Sequence, residues 1–263
     1  MVVGGVVAVI FGLLYGSFLN VVILRFDDWL SIVKTPSHCP KCKTRLGWLD
    51  LIPVLSYLSL RGKCRYCQRP ISWQYPVVEL AAASLVGAGY IYIFAGQDLP
   101  FWREAFSLAA YVVVIGAALV IFFHDLYEMM IPDVFSNLLL VASVVFALIF
   151  YSDALGVLYS GLLGFLPIAL LAYPSGGKWM GEGDVKLSTA LAVLVGWPAS
   201  VAYLALSFIG GGVFGVTALA TKKVGLKSPV PFGPFLILAA IIAFFYGQEI
   251  IGWYFSTIGY GYY

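Results

Sequence analysis

The stretch VVGGVVAVIFGLLYGSFLNVVIL, residues Val2–Leu24, contains no charged side chain. A helix needs about 20 apolar residues to cross a bilayer, so this stretch predicts one crossing. Further apolar runs follow at about 77–95, 106–124, 134–151, 155–173, 187–198, 200–221 and 231–254. The sequence therefore predicts an all-α polytopic membrane protein with about eight transmembrane helices. The run 187–198 is short enough to be tilted or half buried.

The composition agrees with this fold class. Of 263 residues, 62% are hydrophobic and 11% are charged. Soluble domains average roughly 45–50% and 25%, respectively, so a soluble domain with a large core is excluded. The first span begins at residue 2 without a basic segment before it and without a small-residue cleavage site, which predicts a retained helix rather than a removed signal peptide.

The basic residues predict the orientation in the membrane. Nine of the fifteen lysines and arginines lie between Arg25 and Arg69. Basic loops beside membrane spans accumulate on the cytoplasmic side, so residues 25–75 are predicted to be cytoplasmic. Eight crossings then place three more loops on that side: Asp125–Asp133, Pro174–Lys186 and Lys222–Lys227. A nucleic-acid surface is a less simple explanation of the same charge, and no nucleic-acid partner is expected.

The positions of the apolar runs and of the polar segment between the first two runs predict three domains. They are the first helix, 1–24, a small cytoplasmic lobe, 25–75, and a helical membrane domain, 76–263. The lobe is too short and too poor in apolar residues to build a sizeable core, so it needs a further source of stability.

Four cysteines in the lobe supply this further stability. Cys39 and Cys42 form one Cys-x-x-Cys pair, Cys64 and Cys67 form a second, and 21 residues separate the pairs. Four thiolates make a closed tetrahedral shell, which is typical of structural zinc. A redox pair or unliganded thiols are the alternatives. His38 adjoins the first pair but is expected to be a bystander.

Two acidic segments lie between predicted spans. One is Gly181-Glu182-Gly183-Asp184-Val185-Lys186-Leu187, and the other runs from Asp125 to Asp133. Charged residues near the hydrocarbon region are costly and usually functional. If folding brings Asp125 and Asp184 together, their repulsion leaves one proton shared between them. The ionised carboxylate then activates a water and the protonated one polarises a scissile carbonyl, as in aspartyl proteases.

Neighbouring residues are supporting candidates. Gly181 and Gly183 permit tight or positive-φ conformations and close approach of another segment, and Lys186 follows shortly after. A phosphate cradle is the alternative for these glycines, but the Walker order is absent. Asp133 is expected to cap the next helix, whereas Glu128 is expected to be exposed. A proton relay or a polar contact between helices is the alternative role for any single carboxylate.

Taken in order, these motifs resemble the type IV prepilin peptidase family, the bifunctional prepilin leader peptidases and N-methyltransferases. The resemblance covers nearly the whole chain. It is carried by Gly16–Ile23 with Arg25, Cys39–Cys67 with the enclosed Asp50–Tyr57, Tyr75–Glu79, Asp125–Asp133, Gly181–Leu187 and Pro231–Phe235. The chain departs from the family pattern at Asp27-Asp28-Trp29, where a proline is usual, and at Ala192, where a glycine is common.

The resemblance implies an intramembrane aspartyl endopeptidase of the inner (cytoplasmic) membrane, with Asp125 and Asp184 as its catalytic pair on the cytoplasmic side. Its implied substrates are type IV prepilins and the related pseudopilins, cut after a glycine. It also implies methylation of the new N-terminal amine, usually that of phenylalanine, by S-adenosylmethionine. The residues by themselves do not indicate this second activity, and the donor-binding residues stay unassigned.

Two other classes of protein are alternatives. One is a transporter that relays protons through Asp125 and Asp184, but such a protein is expected to have paired half-repeats or broken helices. The other is a scaffold for a pilus or secretion assembly, docked through the zinc lobe. A scaffold would tolerate the loss of either aspartate. The sequence leaves open which pilins are cut, the oligomeric state and the resting distance between the two carboxylates.

Overall fold

A computed structural model describes residues 2–26, 28–95, 99–221 and 230–257. The described residues form ten α-helices, one short 3-10 helix and no strand. The α-helices are α1 Val2–Leu24, α2 Trp29–Lys34, α3 Leu55–Ser59, α4 Gln74–Ala95, α5 Phe101–Glu128, α6 Asp133–Phe150, α7 Ala154–Ala172, α8 Glu182–Val195, α9 Ala199–Ala220 and α10 Gly233–Thr257, and the 3-10 helix is Trp48–Leu51. The predictions made at Asp27 and Lys222–Lys227 lie outside the described residues.

Seven helices are long and apolar enough to cross a membrane: α1, α4, α5, α6, α7, α9 and α10. This confirms the predicted all-α membrane fold. The predicted run 187–198 falls mainly on α8, which has 14 residues. At about 1.5 Å per residue α8 is too short to cross a hydrocarbon core of about 30 Å. It ends at Gly196, whose φ of 78° breaks the helix before Pro198.

The chain divides into two compact units, Met1–Leu99 and Pro100–Tyr263. This division places α4 with the first helix and the lobe. The three-domain division predicted from the sequence stays a prediction.

In the first unit, α1 and α4 pack as an antiparallel pair through glycines. A Cβ on Gly12 would lie 2.6 Å from the Cα of Ala83, and one on Gly16 would lie 2.6 Å from the Cα of Glu79. Neither backbone atom can retreat easily, so only glycine allows this approach. The Gly12-x-x-x-Gly16 motif therefore allows close packing of α1 against α4.

In the second unit, α8 is the central helix. It packs against α6, α7, α9 and α10, and most of its residues beyond the first turn are buried. The hydroxyl of Tyr151 donates to the carbonyls of Leu194 and Val195, at 3.0 and 2.9 Å, and so satisfies the last turn of α8. A Cβ on Gly164 would lie 2.6 Å from the Cβ of Ala192. Gly164 on α7 thus leaves room for Ala192 on α8, the alanine that departs from the family pattern.

Candidate active site and metal centre

Asp125 lies in the last turn of α5 and is only 4% exposed. Its Oδ2 accepts a hydrogen bond from the backbone N–H of Gly233, at 3.0 Å, where α10 begins. The helix ends soon after, because Met129 adopts a left-handed conformation with φ of 52°. A buried carboxylate is therefore held in place by the start of a helix that is distant in sequence.

Asp184 lies in the first turn of α8. Its Oδ2 accepts a hydrogen bond from the backbone N–H of Gly181, at 3.0 Å, and so satisfies a free donor at the helix N-terminus. A Cβ on Gly183 would lie 2.8 Å from the Cβ of Ile131. Close approach of another segment, as predicted for these glycines, thus occurs at Gly183. Neither Gly181 nor Gly183 adopts a positive φ.

Folding brings the two aspartates into one site. Asp125 is close enough to Asp184 for their charges to interact. A Cβ on Gly233 would lie 2.6 Å from Oδ2 of Asp125 and 3.4 Å from Cδ2 of Leu187, which follows Asp184 on α8. The end of α5 and the starts of α8 and α10 therefore meet around the two carboxylates. Two acidic groups near one another resist ionising together, so this proximity favours protonation of one of them.

Asp133 does not cap α6, so that prediction is wrong. Pro132 occupies the capping position, and no side-chain hydrogen bond caps the helix. Instead, Oδ1 of Asp133 lies 2.5 Å from Nζ of Lys186, and this ion pair joins α6 to α8. The two side chains are 71% and 41% exposed, so solvent screens the pair and its contribution to stability is small. Glu128 is exposed, as expected.

Sequence reasoning missed two contributors to this site. One is Gly233, whose motif Pro231–Phe235 was noticed without a role for its backbone N–H. The other is Tyr203, which is fully buried and donates to Oγ of Ser188, at 3.2 Å, one turn after Asp184. Neither role has a local signal in the sequence, because both depend on contacts between different helices.

The cysteine pairs adopt matching backbone turns. The N–H of Cys39 donates to the carbonyl of Thr44, at 3.0 Å, and the N–H of Cys64 donates to the carbonyl of Arg69, at 2.9 Å. In each turn the residue four positions after the first cysteine, Lys43 or Gln68, has a φ near 60°. Both turns therefore present two thiols in the same way.

All four cysteine sulfurs lie within 4.8 Å of one another, and no disulfide joins them. The Sγ atoms of Cys39 and Cys67 are 3.9 Å apart. A tetrahedral ion with Zn–S bonds of about 2.3 Å would need sulfurs about 3.8 Å apart, so the donor set fits such an ion. His38 lies outside this group, and its Nδ1 is 3.1 Å from the carbonyl of Pro36.

Asp50 connects the 3-10 helix to the second cysteine turn. It accepts hydrogen bonds from the N–H of Gly47 at 3.1 Å, from Nε of Arg65 at 2.6 Å and from the hydroxyl of Tyr66 at 3.0 Å. Burial raises the pKa of Asp50, but these hydrogen bonds and the Arg65 charge outweigh that effect and leave the pKa below its usual value. The ionised carboxylate therefore stabilises the lobe.

Together these features define a polytopic helical membrane protein with one site of paired carboxylates and a second site of four clustered thiols. Comparison with known sequences assigns it further. Residues 10–93 match the family model "Bacterial Peptidase A24 N-terminal domain". Residues 112–216 match the model "Type IV leader peptidase family". The first match contains the four cysteines, and the second contains both aspartates.

Curated relatives agree with these matches. A "Prepilin leader peptidase/N-methyltransferase" of Aeromonas salmonicida is 33% identical over 279 residues, covering 95% of this chain and 93% of the relative. Proteins with the same name from Bacillus subtilis and Xanthomonas campestris are 33% and 31% identical, with coverage of 93% and 94% of this chain and 95% and 93% of the relative. The chain therefore belongs to the prepilin leader peptidase/N-methyltransferase family. No solved structure gave a significant match.

Proposed function

We propose that this protein is an intramembrane aspartyl endopeptidase that removes the leader peptide of type IV prepilins and pseudopilins and then N-methylates the new N-terminus. The proposal rests most directly on Asp125 and Asp184, two carboxylates at the ends of separate helices that meet near Gly233. Membership of the family and the names of the relatives support the same activities.

In this proposal the two carboxylates divide the acid and base roles. Asp125 is buried, and the N–H of Gly233 stabilises its charge. Asp184 is held by the N–H of Gly181 at the start of α8, where the helix dipole also favours negative charge. One carboxylate takes a proton from the attacking water while the other, protonated, donates to the scissile carbonyl oxygen. The newly protonated carboxylate then donates to the leaving amine as the C–N bond breaks, and the other recovers its proton from the former carbonyl oxygen.

Gly181, Gly183 and Lys186 support this pair. Gly183 allows the segment containing Ile131 to approach the start of α8. The ion pair between Lys186 and Asp133 links α6 to α8. These contacts hold the backbone that carries Asp184, so their role is positional.

The four cysteines are proposed to bind a structural zinc ion. Cys39, Cys42, Cys64 and Cys67 would supply a closed shell of thiolates, which leaves no position for a substrate or an activated water. The ion would stabilise the lobe at residues 25–75, which lacks a sizeable apolar core. This supports the division into a first helix at 1–24, the lobe, and a catalytic membrane domain at 76–263.

S-adenosylmethionine is proposed as the methyl donor because the relatives are named N-methyltransferases. The described residues contain no strand, and therefore no glycine-rich strand–turn–helix of the kind that binds nucleotide-like cofactors. No donor site is assigned, and no step of the mechanism depends on one.

The protein is proposed to reside in the inner membrane, with the lobe and both aspartates on the cytoplasmic side. This orientation rests on the concentration of lysines and arginines between Arg25 and Arg69. Its partners would be the bilayer and the prepilin or pseudopilin substrates.

The deciding experiment measures cleavage of a prepilin by the purified protein in detergent. Wild type, Asp125→Asn and Asp184→Asn are compared by the mass of the product, with and without S-adenosylmethionine. We expect both variants to lose cleavage by at least about 10³-fold, because each carboxylate is required for proton transfer. Glu128→Gln, an exposed carboxylate on the same helix as Asp125, is the matched control and should cleave normally.

The same experiment tests the alternatives. Cleavage that survives either asparagine substitution would refute the aspartyl mechanism and favour a scaffold or a proton-relay protein. A mass gain of one methyl group, seen only in the presence of the donor, would establish the second activity. Cleavage without this gain would restrict the function to proteolysis.

A further inference from the structure

A buried polar cluster lies between α1 and α4, apart from the residues proposed to act in proteolysis. It contains Ser17 and Asn20 on α1, Glu79 on α4 and the backbone N–H of Val54. Asn20 is 1% exposed and Glu79 is 7% exposed. Oε2 of Glu79 accepts a hydrogen bond from the N–H of Val54 at 2.7 Å, and the Ser17 side chain also bonds to this carboxylate.

The amide of Asn20 is only half satisfied. Its Nδ2 donates to the carbonyls of Gly16 and Tyr75, at 3.3 and 3.1 Å. Its Oδ1 is buried and has no hydrogen-bond partner among the described residues. Buried acceptors are nearly always satisfied in native proteins, so this oxygen indicates a donor other than the described residues.

Neither ion pair among the described residues includes the carboxylate of Glu79. Arg25, which follows Asn20 at the end of α1, instead donates to the carbonyls of Ser31 and Thr35, both at 2.7 Å. A carboxylate can accept about four hydrogen bonds, and Glu79 uses two. A buried charge without a partner is costly, so this site favours a cation.

The backbone at Val54 shows that the cluster is held in place at a conformational cost. Val54 has φ of 60° and ψ of −48°, a conformation rarely adopted by a β-branched residue. Its N–H nevertheless points at Glu79. Backbone strain of this kind persists where the surrounding structure fixes it and is concentrated at functional sites.

We propose that Glu79 and Asn20 bind a primary ammonium group, namely the α-amine of the polypeptide end that leader removal exposes. An alkylammonium has three donors, no acceptor and one positive charge. It therefore complements the unused acceptor positions of the Glu79 carboxylate and the unpartnered amide oxygen of Asn20, on the facing helices α4 and α1. The choice of this amine rests on the proposed function, because it is the group that would be methylated. The headgroup of phosphatidylethanolamine carries the same chemical group and is the competing source.

Peptide binding to the full-length protein tests the proposal. The protein is placed in phosphatidylcholine nanodiscs and mixed with a fluorescent apolar peptide that begins with phenylalanine. The peptide is used with a free α-amine and with that amine acetylated. We expect wild type to bind the free-amine form at least about tenfold more tightly, because a hydrogen-bonded ionic contact is lost on acetylation. The peptide has no scissile bond, and no methyl donor is added. A negative binding result would therefore refute the amine site without bearing on cleavage or methylation.

Glu79→Gln removes the charge but keeps an oxygen that can accept from Val54, so the variant should retain the local fold. We expect its preference for the free amine to fall below about twofold. Glu79→Asp keeps the charge and should retain most of the preference. Glu249→Gln makes the same chemical change at an exposed carboxylate on α10 and should bind as wild type does.

Three results would overturn the proposal. One is equal binding of the free and acetylated peptides by wild type. Another is a wild-type preference that survives in Glu79→Gln. The third is loss of the preference when phosphatidylethanolamine replaces part of the phosphatidylcholine, because this would assign the cluster to a lipid headgroup. An unchanged preference in those nanodiscs supports the peptide amine.

Discussion

Replacing Gly233 by alanine should damage the paired carboxylates while leaving the fold nearly intact. The added Cβ would lie 2.6 Å from Oδ2 of Asp125, whereas ordinary contacts begin near 3.4 Å. The carboxylate oxygen must therefore retreat by about 0.8 Å, the difference between these distances. The contact with Leu187, at 3.4 Å, needs no adjustment. Because the displaced atoms end a side chain, we expect destabilisation of only about 1 kcal/mol.

The expected effect on catalysis is much larger. The movement weakens the 3.0 Å hydrogen bond from the Gly233 N–H to Asp125. A hydrogen bond to a charged group contributes about 1.5–3 kcal/mol, which corresponds to roughly 10–150-fold in rate. A misplacement near 1 Å independently predicts a loss of about 100-fold. We therefore expect kcat for prepilin cleavage to fall by about 30–100-fold.

The assay is the rate of prepilin cleavage under saturating substrate, together with the thermal midpoint of the same preparation. Gly212→Ala is the matched control, because its added Cβ would meet no atom within 4 Å. It should keep wild-type kcat. A Gly233→Ala variant that is folded and cleaves at the wild-type rate would refute the positioning of Asp125 by α10.

Two further predictions concern the lobe. Cys39→Ser or Cys64→Ser should weaken zinc binding by more than about tenfold, measured by metal analysis after dialysis against a chelator. His38→Ala should keep its zinc, and full zinc in the double cysteine variant would contradict the assignment. Asp50→Asn should destabilise the lobe at pH 7 by about 1 kcal/mol, a small value because the Arg65 side chain is 46% exposed. The pKa of Asp50 is lowered in the folded state. The ionised carboxylate therefore stabilises the folded lobe fully above the unfolded pKa of about 3.9. This stabilisation disappears as the pH falls through the lower pKa of the folded state. Chemical denaturation should show a smaller deficit of the variant at pH 3 than at pH 7.

Much of the architecture could be read from the sequence because its signals are local. Uncharged stretches such as Val2–Leu24 must satisfy their backbone polar groups within a helix once they enter lipid. Two Cys-x-x-Cys pairs, ending at Cys42 and Cys67, predict a four-thiol site because each short turn already brings two sulfurs together. These inferences need only the composition and spacing of single segments.

The acidic motifs were recognisable for a similar reason, but their partners were not. Asp125 and Asp184 stood out because charge is unusual beside apolar spans. The sequence also assigned Asp133 a local role as a helix cap, whereas its carboxylate pairs with Lys186 on α8. The local rule failed there because Pro132 occupies the capping position, and the Asp133 carboxylate pairs instead with a cation on a neighbouring helix.

The sequence by itself thus determined the membrane class, the thiol cluster and the acidic candidates, because each depends on residues that are close together in the sequence. Only the tertiary structure decided that α8 is buried at the centre of its unit, that Gly233 donates to Asp125, and that Glu79 lies against α1 without a counter-charge among the described residues. These features arise where helices distant in sequence meet. Their contacts depend on which faces pack together, and the apolar periodicity of an individual membrane helix contains little information about that choice.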